Sequence, residues 1–246
     1  MKKPEIEIPK ANAELDQDEE FFVLKNESNR QIQFHDYKSI YRVPGLYEEV
    51  FHNRLKCQSP QVISKLLHES VKQSECDFEE LKILDFGAGN GLVAKELSQF
   101  DPGFIVGVDI LDEAKEAALR DRKGIYADYF VCNFSDLSEE QLIEFQSFGF
   151  NAFVSVAALG FGHIKTEGFI RAFNLIEKGG WIAINLRDRF LTSEDESGFG
   201  DMMNFLKDRY IKILDEKTYQ HRLSVSGEPI NYTAIVGRKL AHMSKS

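Results

Sequence analysis

The 246-residue chain is short of several features that mark whole classes of protein. Its three cysteines, Cys57, Cys76 and Cys132, are odd in number and widely spaced, which argues against a disulfide framework or a cysteine-based metal cluster. A reducing, cytoplasmic setting is the simple expectation, with no metal. No apolar run approaches the ~20 residues needed to span a bilayer. The opening residues, Met1-Lys2-Lys3-Pro4-Glu5, lead into no apolar stretch, so no secretory signal is expected. Positive charge is also scarce: 30 Lys and Arg stand against 40 Asp and Glu, a net charge of −10. Such a chain is a poor candidate for gripping nucleic acid phosphates regardless of sequence. The expected partner is a small molecule, with neither membrane nor nucleic acid.

What is present suits one large α/β domain with an appendage. Residues 1–20 hold two prolines and the acidic run Asp16-Gln17-Asp18-Glu19-Glu20, and read as a flexible acidic tail. Residues 21–75 are rich in aromatic residues, among them Phe34, Tyr37, Tyr41, Tyr47 and Phe51, and read as a helical cap. Within it, Pro44-Gly45 marks a turn. Ser59-Pro60 opens a helix, with serine as the expected N-cap and proline in its first turn.

From residue 76 onward, short apolar runs alternate with helical patterns. Strands are expected at Leu81–Leu84, Gly103–Asp109, Ala127–Asn133, Ala152–Val156 and Trp181–Leu186, with a hairpin at Thr218–Leu223 and Asn231–Arg238. Alternation of this kind predicts a doubly wound, mostly parallel sheet covered on both faces.

The chemistry concentrates between Leu81 and Leu92. A buried strand ends in Asp85, and Gly87, Gly89 and Gly91 follow at alternate positions before a helix begins. Glycines let a ligand lie on the backbone, and the helix behind them aims free N–H groups at it. In an open α/β sheet, ligands sit beyond the carboxyl ends of the strands, a rim that would hold Asp109, Asn133, Ala157 and Arg187. Asp109 stands about 20 residues past the loop, where an acid accepts from ribose hydroxyls. A dinucleotide fingerprint requires a glycine where Leu92 stands. Asp85 would repel a pyrophosphate and attract an ammonium group, directly or through water. The expected ligand carries adenine, ribose and a cationic amino-acid end.

With Asp85-Phe86-Gly87-Ala88-Gly89-Asn90-Gly91, Val108-Asp109-Ile110, Val131-Cys132-Asn133-Phe134 and the Lys178-Gly179-Gly180 turn, the chain resembles the class I S-adenosylmethionine-dependent methyltransferases of small-molecule type. The resemblance runs from about Leu81 to Arg238 and makes residues 76–246 the methyltransferase domain. It implies a Rossmann-like seven-stranded sheet with its last strand antiparallel, and S-adenosyl-L-methionine as cofactor. Carried over residue by residue, it implies cofactor contacts from Asp85, Gly87, Ala88, Gly89, Asp109, Ile110, Asn133, Phe134 and Ala157. The family often has aspartate where Asn133 stands; an amide oxygen can also accept from the adenine amino group.

Sulfonium chemistry asks the protein mainly to align the acceptor and exclude water. His163, after Gly160-Phe161-Gly162, is the first candidate base, with Tyr37 second; His163 otherwise simply starts the next helix. Tyr41 and Arg187 are candidate substrate contacts, the alternatives being a core aromatic and an ion pair with Asp188. Phe134 is either an adenine wall or core. Rival readings are a non-catalytic methyltransferase-like binding or partner subunit, an aminopropyl transferase and an NAD-dependent oxidoreductase.

Overall fold

A computed structural model describes residues 3–9, 19–25, 29–159, 166–188, 206–207 and 209–243. The N-terminal part is mixed rather than purely helical. Strands β1 (Ile6–Glu7), β2 (Phe21–Leu24) and β3 (Arg30–Gln33) form a small antiparallel sheet. Ile6 is buried there and Ile8 packs against the same cluster, so the expected tail is held near its start. Helix α1 (Tyr37–Arg42) follows, its first turn closed by Asp36, whose carboxylate accepts from the Ser39 N–H. Next comes a wide, π-type turn over Glu48–Arg54. Its signature is the pair of long-reach bonds in which Leu55 N–H donates to the Val50 carbonyl and Cys57 N–H to that of Phe51.

Helix α2 (Ser59–Gln73) leads into the main sheet. Ser59 is not its cap: the cap position is Gln58, and the Ser59 hydroxyl turns inward to other partners. The sheet comprises β4 (Lys82–Phe86), β5 (Phe104–Asp109), β6 (Asp128–Val131), β7 (Ala152–Ser155), β8 (Trp181–Arg187), β9 (Ile211–Leu223) and β10 (Pro229–Lys239). Their order is β6-β5-β4-β7-β8-β10-β9, with β10 antiparallel to both neighbours and the other pairs parallel. The expected seven-stranded sheet with an inserted antiparallel last strand is therefore present. The hairpin arms run further than their alternation suggested, because β9 begins at Ile211.

Helices α3 (Leu92–Leu97), α4 (Asp112–Asp121), α5 (Glu139–Ser147) and α6 (Thr166–Asn174) cover the sheet. One face buries an aromatic core including Phe86, Phe134, Phe145 and Phe153; the other packs Ile83, Val93, Leu97 and Trp181 against α2. Helix α5 starts with a full capping box between Ser138 and Gln141. Among the described residues, no helix is long and apolar enough to cross a membrane.

Candidate functional site

At the carboxyl ends of the strands, the sheet and the N-terminal cap enclose a cavity of about 610 Å³. The turn after β4 forms its floor. Gly87 and Gly89 have φ of +78° and +53°, the left-handed region that suits glycine. The N–H groups of this turn are already used. Those of Gly87 and Ala88 both donate to the Val108 carbonyl at 2.9 Å, and that of Gly89 donates to Asp109 Oδ2 at 2.9 Å. These three N–H groups are therefore not available to a ligand. A loop whose donors are spent on β5 is a poor phosphate cradle, which agrees with the missing dinucleotide glycine.

Asp109 ends β5 on the cavity wall. Its other oxygen accepts from the Leu111 N–H at 3.1 Å. A carboxylate has about four acceptor sites, so each oxygen keeps capacity for a hydroxyl. Burial pushes the carboxyl upward, opposed by the Gly89, Leu111 and Ile110 N–H groups. Beside it Ile110 is 58% exposed and presents an apolar surface to the cavity. Ala157, just past β7, also lies on the wall with φ +54°, and its N–H donates to Asn185 Oδ1 at 2.7 Å.

Asp85 sits apart from this surface. It lies under the loop, buried, with Oδ2 accepting from the Tyr126 hydroxyl at 2.8 Å and Oδ1 without a partner. It is not among the residues that line the cavity. Asn133 lines the cavity, but its amide oxygen accepts from the Ser135 N–H at 3.1 Å and its amide nitrogen donates to Asp136 at 2.6 Å. One lone pair of that oxygen is left for a ligand. Phe134 packs in the core against Phe86 and Phe145 and also borders the cavity.

The cap supplies an aromatic roof. Tyr37 stacks on Tyr41 and Phe51, and Tyr41 on Tyr47, with centroids 5.4–6.0 Å apart. Burial pushes the Tyr37 phenol up to about 12, so it stands in the cavity as a neutral donor rather than a base. His163 and the loop around it lie outside the described residues. Arg187 ends β8 and does not line the cavity, while its neighbour Asp188 accepts from Thr233 rather than serving as its ion-pair partner.

The roof is fastened to the floor. Glu48 pairs with Arg122 and accepts from Asn90 Nδ2 at 3.1 Å, while Arg122 donates to the Asn90 carbonyl at 2.7 Å. Arg42 pairs with Glu113 at 2.7 Å, and Arg120 donates to the Tyr41 carbonyl at 3.1 Å.

The residues missed by sequence reasoning come from the hairpin. His221, Arg222 and Tyr232 all line the cavity. Fully buried Asn185 donates to Ser59 Oγ at 3.0 Å and to the Tyr219 hydroxyl at 2.7 Å. Tyr219 lies 2.6 Å from Ser59 Oγ, which lies 2.6 Å from His221 Nδ1. Ser59 thus joins Asn185, Tyr219 and His221 in one buried polar cluster. Burial, helped by the Arg222 and Arg187 charges, holds His221 down at about 3, a neutral imidazole. The ring stacks on Tyr232 at 4.1 Å. The polar Tyr-Gln-His-Arg segment was the only trace of this in the sequence.

Solved structures share this architecture. One is a methyltransferase from Clostridium acetobutylicum, described as S-adenosylmethionine-dependent: 12% identity, TM-score 0.53, covering 80% of this chain and 97% of that one. The fold is that of the class I S-adenosylmethionine-dependent methyltransferases. A second is the magnesium protoporphyrin IX methyltransferase of Synechocystis with bound S-adenosylmethionine: 13% identity, TM-score 0.51, covering 74% and 79% of the two chains. A third, from Anabaena variabilis, has 18% identity and a TM-score of 0.51, covering 73% and 85%. No family model matches the sequence, and no curated protein matches it.

Proposed function

We propose that this chain is an S-adenosylmethionine-dependent methyltransferase acting on a small molecule. The observation that carries the reading is the cavity, with Asp109 and the glycine turn on one wall and the aromatic roof and hairpin on another. The residues present suit the cofactor: Asp109 retains acceptor capacity for ribose hydroxyls, and Ile110 offers an apolar edge on the cavity. Its fixed-bound relatives in this fold, such as the Synechocystis enzyme, support the same choice.

When bound, S-adenosylmethionine would supply a sulfonium-activated methyl group for an acceptor lone pair. The chain's own residues position and enclose. Tyr37, Tyr41 and Phe51 exclude water, and Ala157 is held at the rim by Asn185. Tyr37 as a neutral phenol and His221 as a neutral imidazole are weak bases, so an acceptor nucleophilic without deprotonation is favoured. The net charge of −10 favours a small acceptor over nucleic acid.

Calorimetric titration with S-adenosylmethionine and S-adenosylhomocysteine tests this. Binding of both is expected; no heat from either at millimolar ligand ends the reading.

A further inference from the structure

Arg222 is 7% exposed and lines the cavity, yet its one hydrogen bond is to the Leu223 carbonyl at 2.8 Å. It makes no ion pair within 4.0 Å among the described residues. Glu20, on the cap, is the carboxyl that feels its charge, together with that of Arg187, but it lies beyond ion-pair distance of Arg222. The other titratable groups that feel Arg222 are Tyr37, Cys57 and His221, and none supplies a compensating negative charge. A guanidinium is always charged, and the Arg222 nitrogens not used on Leu223 are not among the buried unpartnered atoms, so they keep access to the cavity. Such a group in a cavity wall is poised for an anion that arrives with a ligand.

From this unpaired guanidinium in an aromatic-roofed cavity, we infer that the methyl acceptor is an aromatic or otherwise apolar molecule bearing a carboxylate, which Arg222 holds. This rests on the methyltransferase reading for the word acceptor; the carboxylate site itself does not. Arg222 comes from a different part of the cavity wall than the cofactor turn: its strand, β9, is the outermost of the sheet, four places from β4. A planar carboxylate matches the two-pronged guanidinium, whereas a phosphate dianion calls for more cations than this wall offers. Tyr232 and the stacked His221 give the acceptor's body a flat surface beside the charge.

The test is calorimetry on the full chain with benzoate, phenylacetate and 3-phenylpropionate, each beside its carboxamide, with and without saturating S-adenosylhomocysteine. At least one acid is expected to bind with a Kd below about 1 mM, and its carboxamide about tenfold more weakly. Arg222→Gln should erase that difference while S-adenosylhomocysteine affinity stays within about twofold. Arg222→Lys, which keeps the charge, should retain part of it; the acid–amide comparison in the unmodified protein needs no variant to fold. Equal binding of acid and amide, or no acid binding at 10 mM, overturns the proposal. So does a tenfold loss of S-adenosylhomocysteine binding in Arg222→Gln, which assigns the guanidinium to the cofactor's own carboxylate. Phenyl phosphate binding tenfold better than every acid overturns the carboxylate class. Failure of S-adenosylhomocysteine to bind, with acids still preferred over amides, removes the methyltransferase reading alone.

Discussion

The Tyr41 hydroxyl rests against the backbone of Gly89, so closely that a β-carbon added there would stand 2.6 Å from it. Cap and turn therefore fit only while residue 89 has no side chain. Gly89→Ala should weaken S-adenosylhomocysteine binding by at least about tenfold and cost about 1–2 kcal/mol for a left-handed alanine. Adding Tyr41→Phe should recover part of the clash and none of the backbone cost. Titration and thermal unfolding of the single and double variants measure both parts; a double variant no better than Gly89→Ala would mean that the contact is immaterial.

Asp109 carries a second prediction. Replacing it with alanine removes the acceptor for the Gly89 and Leu111 N–H groups as well as any ribose contact. Cofactor affinity should fall by about 1–3 kcal/mol, the scale of charge-assisted hydrogen bonds. Unchanged affinity in calorimetry would put the ribose elsewhere.

The fastening of the cap is open to a separate test. Arg122 is nearly buried and joins Glu48 to the Asn90 carbonyl. Arg122→Ala should destabilise the protein by about 1–3 kcal/mol, less than a fully buried pair because Glu48 is partly exposed. At about 2–4 °C per kcal/mol for a chain of this size, the melting shift is readily seen. Hydrogen exchange should quicken in α1 and the π-type turn before it quickens in β4. Uniform quickening would mean that the bridge serves the whole domain.

A further expectation concerns pH. Burial, with a smaller push from the Asp109 charge and against the Tyr126 hydrogen bond, raises Asp85 to about 7 from an ordinary 3.8. Between those values the unfolded chain has released the proton that the folded chain retains. This group's contribution to stability therefore falls as pH rises through that window and is level above it. Asp85→Asn removes the titration, at the expense of an amide whose nitrogen inherits the unpartnered Oδ1 position. The variant should be about 1–3 kcal/mol more stable than the parent at pH 8, with no gain at pH 4. Equal differences in melting temperature at both pH values would refute the assignment.

The cofactor end was legible because its requirements are written in residue type. Positive φ at Gly87 and Gly89 and an acid at the end of β5 are local demands, satisfied within one strand–turn–helix unit. The hairpin end was not legible, since His221 and Arg222 reach the cavity only through insertion of β10 between β8 and β9. Ser59 misled for a related reason. Ser-Pro at a helix start ordinarily signals a cap, but a buried hydroxyl takes its strongest partners, and here those are His221, Tyr219 and Asn185. The fastening of the glycine turn was equally hidden, because the acceptors for its N–H groups belong to a strand some 20 residues later. Asp85 was read from its charge alone, and the tyrosine that partners it lies 41 positions away.

The wide turn at Glu48–Arg54 makes the cap sensitive to a single peptide unit. Its bonds span five and six residues where a regular helix would span four. Removing one residue there would restore ordinary winding and rotate everything on one side by about 100° relative to the other. With Leu55 anchored in the core, Glu48 would swing away from Arg122, and Tyr41 would leave its place over Gly89. The chain thus carries a spacer one residue thick, and a deletion there would disengage the roof while leaving every wall of the cavity intact.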